Sequence, residues 1–244
     1  YTSAQNVTDD AYYLDRWKMR ESGTAITIQH DKNISITEAG GDGIKTNAIK
    51  IDITSSNNGY WAIRQVVEDY AAVSGQTVTF SCWLRGVGPK VFFRLWGVTN
   101  IGHGHALTED WQLYTETFTS PACTQATDGN NGFSASITNY AEGTVYNHTA
   151  DWCQIALFQI EIGRSPTPFE FRTYAEELEL CQRYYLKTPA NTASYLPCTR
   201  ASDHSRLSLM FPVTMRAAPN GTMSNYTLTC TTHGVNGYQS NGQT

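Results

Sequence analysis

Residues 77–85 read Thr77-Val-Thr-Phe-Ser-Cys-Trp-Leu-Arg85. Side chains on an extended strand alternate between two faces. Val78, Phe80, Cys82 and Leu84 therefore share one face, and Thr79, Ser81, Trp83 and Arg85 the other. The first face is a core stripe. The second mixes hydroxyls, an indole and a guanidinium.

The same period of two recurs along the first two thirds of the chain. Ala25 to Gln29 and Ile34 to Thr37 are short alternating runs. Ala48 to Thr54 puts Ile49, Ile51 and Ile53 on one face, and Trp61 to Val67 is a further candidate. Lys90 to Val98 sets Val91, Phe93 and Leu95 against Phe92, Arg94 and Trp96. Trp111 to Thr119 sets Leu113 and three threonines against Tyr114, Glu116 and Phe118. Gly132 to Thr138 and Trp152 to Ile162 complete the set. Gly40 to Gly43, Ser56 to Gly59, Gly86 to Pro89 and Asp128 to Gly132 supply turn residues between the runs. Many short strands joined in this way predict a mainly all-β chain whose first part is a two-sheet jelly-roll β-sandwich. The helix–strand alternation of a parallel α/β fold is missing.

Composition agrees. Of 244 residues only 16% are charged and 12% are aromatic, a poor mixture for a helical bundle and a good one for sheets. The net charge is −5 and no run of Lys or Arg exists, which excludes the phosphate-binding footprint of a nucleic-acid partner. No stretch approaches the roughly 18 apolar residues of a membrane helix, so no membrane insertion is expected. No signal peptide is visible, and a chain that starts at Tyr1 reads as trimmed or as part of a longer protein. Six cysteines stand at 82, 123, 153, 181, 198 and 230 without a Cys-x-x-Cys. Cys82 and Cys153 sit inside apolar strand patterns, where a free thiol packs as a small hydrophobe.

The rules change between Ile160 and Tyr185. Pro166 and Pro168 stiffen a linker over 166–172, from which Phe169 and Phe171 can pack on the sandwich. A helix follows. Thr173 and Glu176 form a capping box, and Leu178, Cys181 and Tyr185 form an apolar stripe. Arg183 and Lys187 lie near its C-terminal end, and Pro189 forbids continuation. Ser205 to Pro212 and Asn225 to Cys230 are the best strands beyond it. The expected organisation is a sandwich over 1–165, the linker, and a helix plus small β-sheet over 173–244.

Gln159-Ile-Glu-Ile-Gly163, Pro168-Phe-Glu-Phe-Arg172 and Cys181-Gln-Arg-Tyr-Tyr185 resemble a recurring element of bacteriophage tail fibres and virion appendages. Asp15-Arg16-Trp17 and Phe211-Pro-Val-Thr-Met-Arg-Ala-Ala-Pro219 resemble two further pieces of the same family. The resemblance implies a carbohydrate-binding-module-like sandwich, a place in the virion after synthesis in a bacterial cytoplasm, and a role in host contact. It also implies homotrimers packed among other virion proteins. Synthesis in a reducing cytoplasm favours free thiols.

Catalytic strings are absent. No Gly-x-Ser-x-Gly elbow, His-Glu-x-x-His or phosphate loop occurs, and none of the 22 acids stands in a context that marks a hydrolytic pair. The chain is therefore expected to be no enzyme, with no cofactor and no metal. His103-Gly-His105 can aim two imidazoles one way, but two ligands make no metal site. Aromatic side chains are the better candidates, because indole and phenol rings stack on the apolar faces of sugar rings while polar neighbours take the hydroxyls. The expected ligand-binding set is Trp83, Arg85, Arg94, Trp96 and Tyr114, taken as one face opposite the core stripe. Tyr60, Trp61, His103, His105 and Tyr140 join them from the loops. The function expected is non-catalytic contact with host-surface glycans. The alternatives are a purely structural virion component, such as a head fibre or decoration protein, and, as a minor one, a glycan-degrading enzyme.

Overall fold

The computed structural model describes residues 4–6, 11–14, 17–37, 43–67, 70–88, 90–96, 104–120, 122, 134–141, 144–146, 151–186, 198–200, 205–207, 211–215, 227–230 and 238–241. The chain forms two compact units, Tyr1–Phe171 and Arg172–Thr244.

Among its described residues the first unit is mainly antiparallel β-structure. Its strands are β1 (Gln5–Asn6), β2 (Ala11–Leu14), β3 (Trp17–Ile36), β4 (Ile44–Val66), β5 (Thr77–Val87), β6 (Val91–Trp96), β7 (Gly104–His105), β8 (Gln112–Thr119), β9 (Ser134–Thr138), β10 (Tyr140–Ala141), β11 (Thr144–Val145) and β12 (Trp152–Ile162), with one turn of helix α1 (Tyr70–Val73). Hydrogen bonding links most of them in the order β7-β6-β9-β4-β12-β5-β8. That path folds back on itself. Phe80 on β5 and Phe93 on β6 stand four strands apart along it, β12, β4 and β9 lying between them. Four strand steps would separate the two by about 19 Å in a flat sheet. Their ring centroids are 5.9 Å apart. The path's two ends also meet, since His105 of β7 lies 5.1 Å from the Tyr114 ring of β8.

Two facing layers result, as in a jelly-roll sandwich. The first runs β1, the C-terminal half of β3, the N-terminal half of β4, β12, β5, β8. The second runs β2, the other halves of β3 and β4, then β9, β6, β7. The long strands β3 and β4 turn the corner together. The sequence read Ser56 to Gly59 as a turn; instead β4 passes straight through it into the second layer. Gly23, at φ 72, faces Gly59 there, and the register shifts around Ser22–Ile26. Two glycines meeting at a crossing let both backbones bend in step.

The core lies between the layers. Val78, Phe80, Cys82 and Leu84 are fully buried, as the alternation predicts, against Ile51, Ile63, Phe93, Leu95 and Ile137. Each such side chain contributes about 1.5–3 kcal/mol by leaving water. Cys82, Cys153 and Cys181 are free thiols.

In the second unit, helix α2 (Tyr174–Gln182) starts with the predicted capping box: the Glu176 amide donates to Thr173 Oγ1, and the Thr173 amide to the Glu176 carboxylate at 2.7 Å. It ends earlier than expected. Its cap is Arg183, and none of its residues is buried, so Leu178, Cys181 and Tyr185 do not form a packed stripe. Two hairpins, β13 (Cys198–Arg200) with β14 (Ser205–Leu207) and β15 (Thr227–Cys230) with β16 (Tyr238–Asn241), complete the described part.

Candidate functional site

The outer face of the first layer gathers aromatic and hydrogen-bonding groups in register. Arg85 stands opposite Gln154, Gln154 opposite Lys50, and Lys50 opposite Gln29. On the flanking rows Trp83 stands opposite Ala156 and Leu113, and Trp152 opposite Asp52.

A polar relay crosses this face. Arg85 Nε donates to Gln154 Oε1, and Gln154 Nε2 donates to Asp31 Oδ2. Gln29 Nε2 donates to the other oxygen of Asp31. The orientation of the Gln154 amide is dictated by chemistry. A guanidinium only donates and a carboxylate only accepts, so the amide oxygen must face Arg85 and its nitrogen Asp31. Lys50 pairs with Asp52 at 2.9 Å. The Arg85 guanidinium lies 4.9 Å from the centre of the Trp111 ring and 5.8 Å from that of Trp152.

Two structures shape this face into a cleft. The arm of β3 and β4 beyond Asp31 curls over it, because Ile34, Ile36, Ile44 and Ala48 share a cluster with Trp83, Ala156 and Leu157 on strands further along the sheet. A bulge between Asp31 and Ile34, with Asn33 at φ 57, lets the arm turn. At the other end the proline segment lies down on the face. Gly163 N donates to Thr77 O, the Arg164 carbonyl accepts from Thr117, and Phe169 packs into the Trp83 cluster. Glu161 holds the segment by accepting from the Thr167 amide at 3.0 Å and its hydroxyl at 2.8 Å. Burial opposes the Glu161 charge, but bonds from Gln159 and Thr167 outweigh it and lower its pKa. A second bulge, between Ala156 and Gln159 and with Leu157 at φ 50, lets both Ala156 and Leu157 join the outer cluster before Phe158 returns to the core.

Between arm, strap and β8 the face stays open. One hollow of about 610 Å³ is lined by Ser35, Thr37, Trp83, Arg85, Trp111 and Leu113, among others. A second of about 430 Å³ is lined by His30, Asp31, Lys32, Ile34, Arg85 and Gln154. Arg85 borders both. Volumes of this size suit small ligands or one segment of a polymer.

The structure sorts the predicted residues into separate places. Trp83 and Arg85 belong to this cleft. Arg94 and Trp96 do not share their face, because β6 lies in the second layer. There Arg94 stands opposite Ser136 and its guanidinium lies 5.2 Å from the centre of the Tyr140 ring. Burial lowers its pKa, while Tyr60 and Tyr140 work the other way. Tyr60 meets Tyr140 edge-on at 5.8 Å. Trp96 stands opposite Ser134, and its side chain lies outside the described residues. Tyr114 is corrected to the inner side: it pairs with Cys82 of the core stripe, and its hydroxyl donates to Ala106 O at 2.6 Å. Trp61 is fully buried in the core. His105 also points inward, between Phe93 and Tyr114, with Nε2 3.3 Å from Glu116 Oε2. His103 lies outside the described residues.

Trp111, Trp152, Gln154 and Asp31 were missed. Trp152 and Gln154 could have been found, since alternation opposes them to Cys153 and Ile155. Asp31 and Trp111 are brought in by the curled arm and by the β5–β8 register, which no local pattern encodes. Among the described residues no group of three His, Cys, Asp or Glu could hold a metal ion, and no helix is long and apolar enough to cross a membrane.

No family model matches the chain, and no curated protein matches it. Solved structures do. The chain is similar to the enzymatically active domain of a tailspike protein of bacteriophage CBA120 (11% identity, TM-score 0.36, 60% of this chain and 19% of that one). It thus spans about a fifth of that tailspike chain. It is similar to a xylan-binding domain from Paenibacillus barcinonensis (10% identity, TM-score 0.38, 68% and 97%). A third similarity is to the N-terminal cellulose-binding domain of a β-1,4-glucanase from Cellulomonas fimi (15% identity, TM-score 0.35, 55% and 90%).

Proposed function

We propose that this chain is a non-catalytic, glycan-binding part of a bacteriophage virion appendage, and that the outer face of the first layer is its sugar site. One observation carries the site: an open cleft in which Trp111 and Trp152 flank an arginine fixed by the Gln154–Asp31 relay. Indoles supply flat apolar surface for sugar rings, and the ordered amide, carboxylate and hydroxyl groups of Ser35 and Thr37 supply edges for their hydroxyls. Preset partners lower the ordering cost of binding. The virion setting rests on the phage-like strings of the sequence. Trimerisation is part of the same reading, supported by the exposure of Tyr174, Leu178 and Tyr185 on and after α2. Three weak sites on one trimer would act together through avidity.

A glycan array and a host-cell binding assay with the purified chain test this, with Trp111→Ala as control. The expected result is binding that the substitution weakens about tenfold, with no sugar released from the ligand. Absence of binding to every glycan and host surface would leave the structural virion role in its place.

A further inference from the structure

Arg85 differs from Lys50 and Asp31, its charged neighbours on the sheet face. Lys50 is paired with Asp52, and Asp31 is occupied on both oxygens by the amides of Gln29 and Gln154. Arg85 has an amide oxygen and two indole faces for neighbours. Among the described residues no carboxylate pairs with it, although Asp31 is one glutamine away.

The geometry of a guanidinium gives this meaning. Stacking uses its flat faces, and the Gln154 bond uses Nε. The terminal nitrogens remain, with their N–H bonds in the plane of the group. That edge is the part that binds carboxylates through two parallel hydrogen bonds. The two hollows that Arg85 borders give a ligand access to it, and Gln154 and the indoles hold it still before a ligand arrives. A neutral sugar offers that edge single hydroxyl oxygens, whereas a carboxylate offers two charged acceptors at the matching spacing.

Resting on the proposed sugar site, we infer that the cleft selects acidic glycans, and that Arg85 receives the carboxylate of a uronic-acid-type residue while Trp111 carries a neighbouring ring. Lys32, at the border of the second hollow, adds long-range attraction for a polyanion. Asp110, which borders the first, sets the opposite sign there, away from the edge that Arg85 shares with the second.

The test uses the full chain and matched probes: an acidic polysaccharide that contains uronic acid, such as alginate or polygalacturonate, and the same polymer after its carboxyl groups are reduced to alcohols. The expected result is binding to an acidic polymer that falls about tenfold or more on carboxyl reduction, the scale of one charge-assisted pair. Arg85→Gln should lose the same factor, and Arg85→Lys should recover part of it. Binding by the unaltered chain should also weaken with salt, a readout that does not depend on any variant folding. Equal binding of the reduced and acidic polymers, or binding to neutral glycans alone, overturns the acidic selectivity and leaves the sugar site standing. No binding to acidic or neutral polymers overturns both.

Discussion

Strand β5 offers two faces of the same residues' length, and both are largely shielded from water. On the inner face Val78, Phe80, Cys82 and Leu84 are fully buried among hydrocarbon and rings. On the outer face Thr79 is fully buried, Ser81 and Trp83 are nearly so, and Arg85 is half-buried. The inner face is covered by the other layer of the sandwich. The outer face is covered by the chain's own accessories, namely the curled β3–β4 arm and the strap from Gly163 to Phe169. Its polar atoms keep hydrogen-bond partners as a result. Thr79 Oγ1 lies 2.8 Å from Thr117 Oγ1 and donates to Gly163 O at 2.9 Å. Burial by itself does not tell core from site. What tells them apart is whether the cover is a packed layer or a strap with a gap in it.

The largest effect separating the two faces should come from Phe80→Ala. Phe80 touches the rings of Phe93, Phe118 and Phe158, so its loss leaves a cavity at the meeting point of both layers. A destabilisation of about 3–5 kcal/mol is expected, read by denaturant titration of the sandwich. Sugar affinity of the molecules that remain folded should not change. A loss below about 1 kcal/mol would show that the layers are not packed as described.

Trp111→Ala should do the opposite. It should cut glycan affinity about tenfold while shifting the unfolding midpoint little, because the indole is only partly buried and stacks on Arg85. An equal loss of stability and affinity would make Trp111 part of the outer apolar cluster only, and the difference between the faces would shrink.

Much of this contrast was legible in the alternation of residues 77–85, because a period of two fixes which side chains share a face whatever the partners are. The partners themselves were not legible. Arg85 and Arg94 stand on successive strands that would form a hairpin if paired, yet β5 and β6 belong to different layers. Gly86 has no room for a side chain, since a Cβ there would lie 2.2 Å from Trp152 O. Tyr114 was placed on the wrong side because the register that sets it opposite Cys82 is a tertiary choice. The corner at Gly59 was read as a reversal because Asn and Gly serve a turn and a bend equally well. The decisive fact, that β3 bends with it at Gly23, lies in another strand. The capping box of α2 needed no tertiary partner, and it was read correctly.

Thr79→Val tests the strap's hydrogen bonds with little change of volume. Removing the hydroxyl leaves the Gly163 carbonyl without its side-chain donor, while Thr117 keeps its bond to the Arg164 carbonyl. About 1 kcal/mol should be lost. Amide exchange should rise locally over 163–169 and not across β5. Uniform acceleration would mean that the outer face is as cooperative as the inner one.

Acid should distinguish the faces without any substitution. The Glu161 carboxylate anchors the strap, and its pKa is lowered in the folded chain because Gln159 and Thr167 bind its charged form more strongly than burial opposes it. A group whose folded pKa is depressed contributes stability above its unfolded pKa, and the contribution is lost as pH falls through the folded value. Strap protection should therefore hold at neutral pH and fail below the ordinary carboxylate range, while Cys153 on the inner face, its pKa pushed by burial up to about 12, stays unlabelled by thiol reagents throughout. Glu161→Gln removes the charge that titrates, so the strap's exchange rate should become independent of pH after correction for intrinsic chemistry. If acid freed the strap equally in that variant, the anchor would have to be the packing of Phe169 against Trp83 and not the carboxylate, and the outer cover would be held by the same forces as the core.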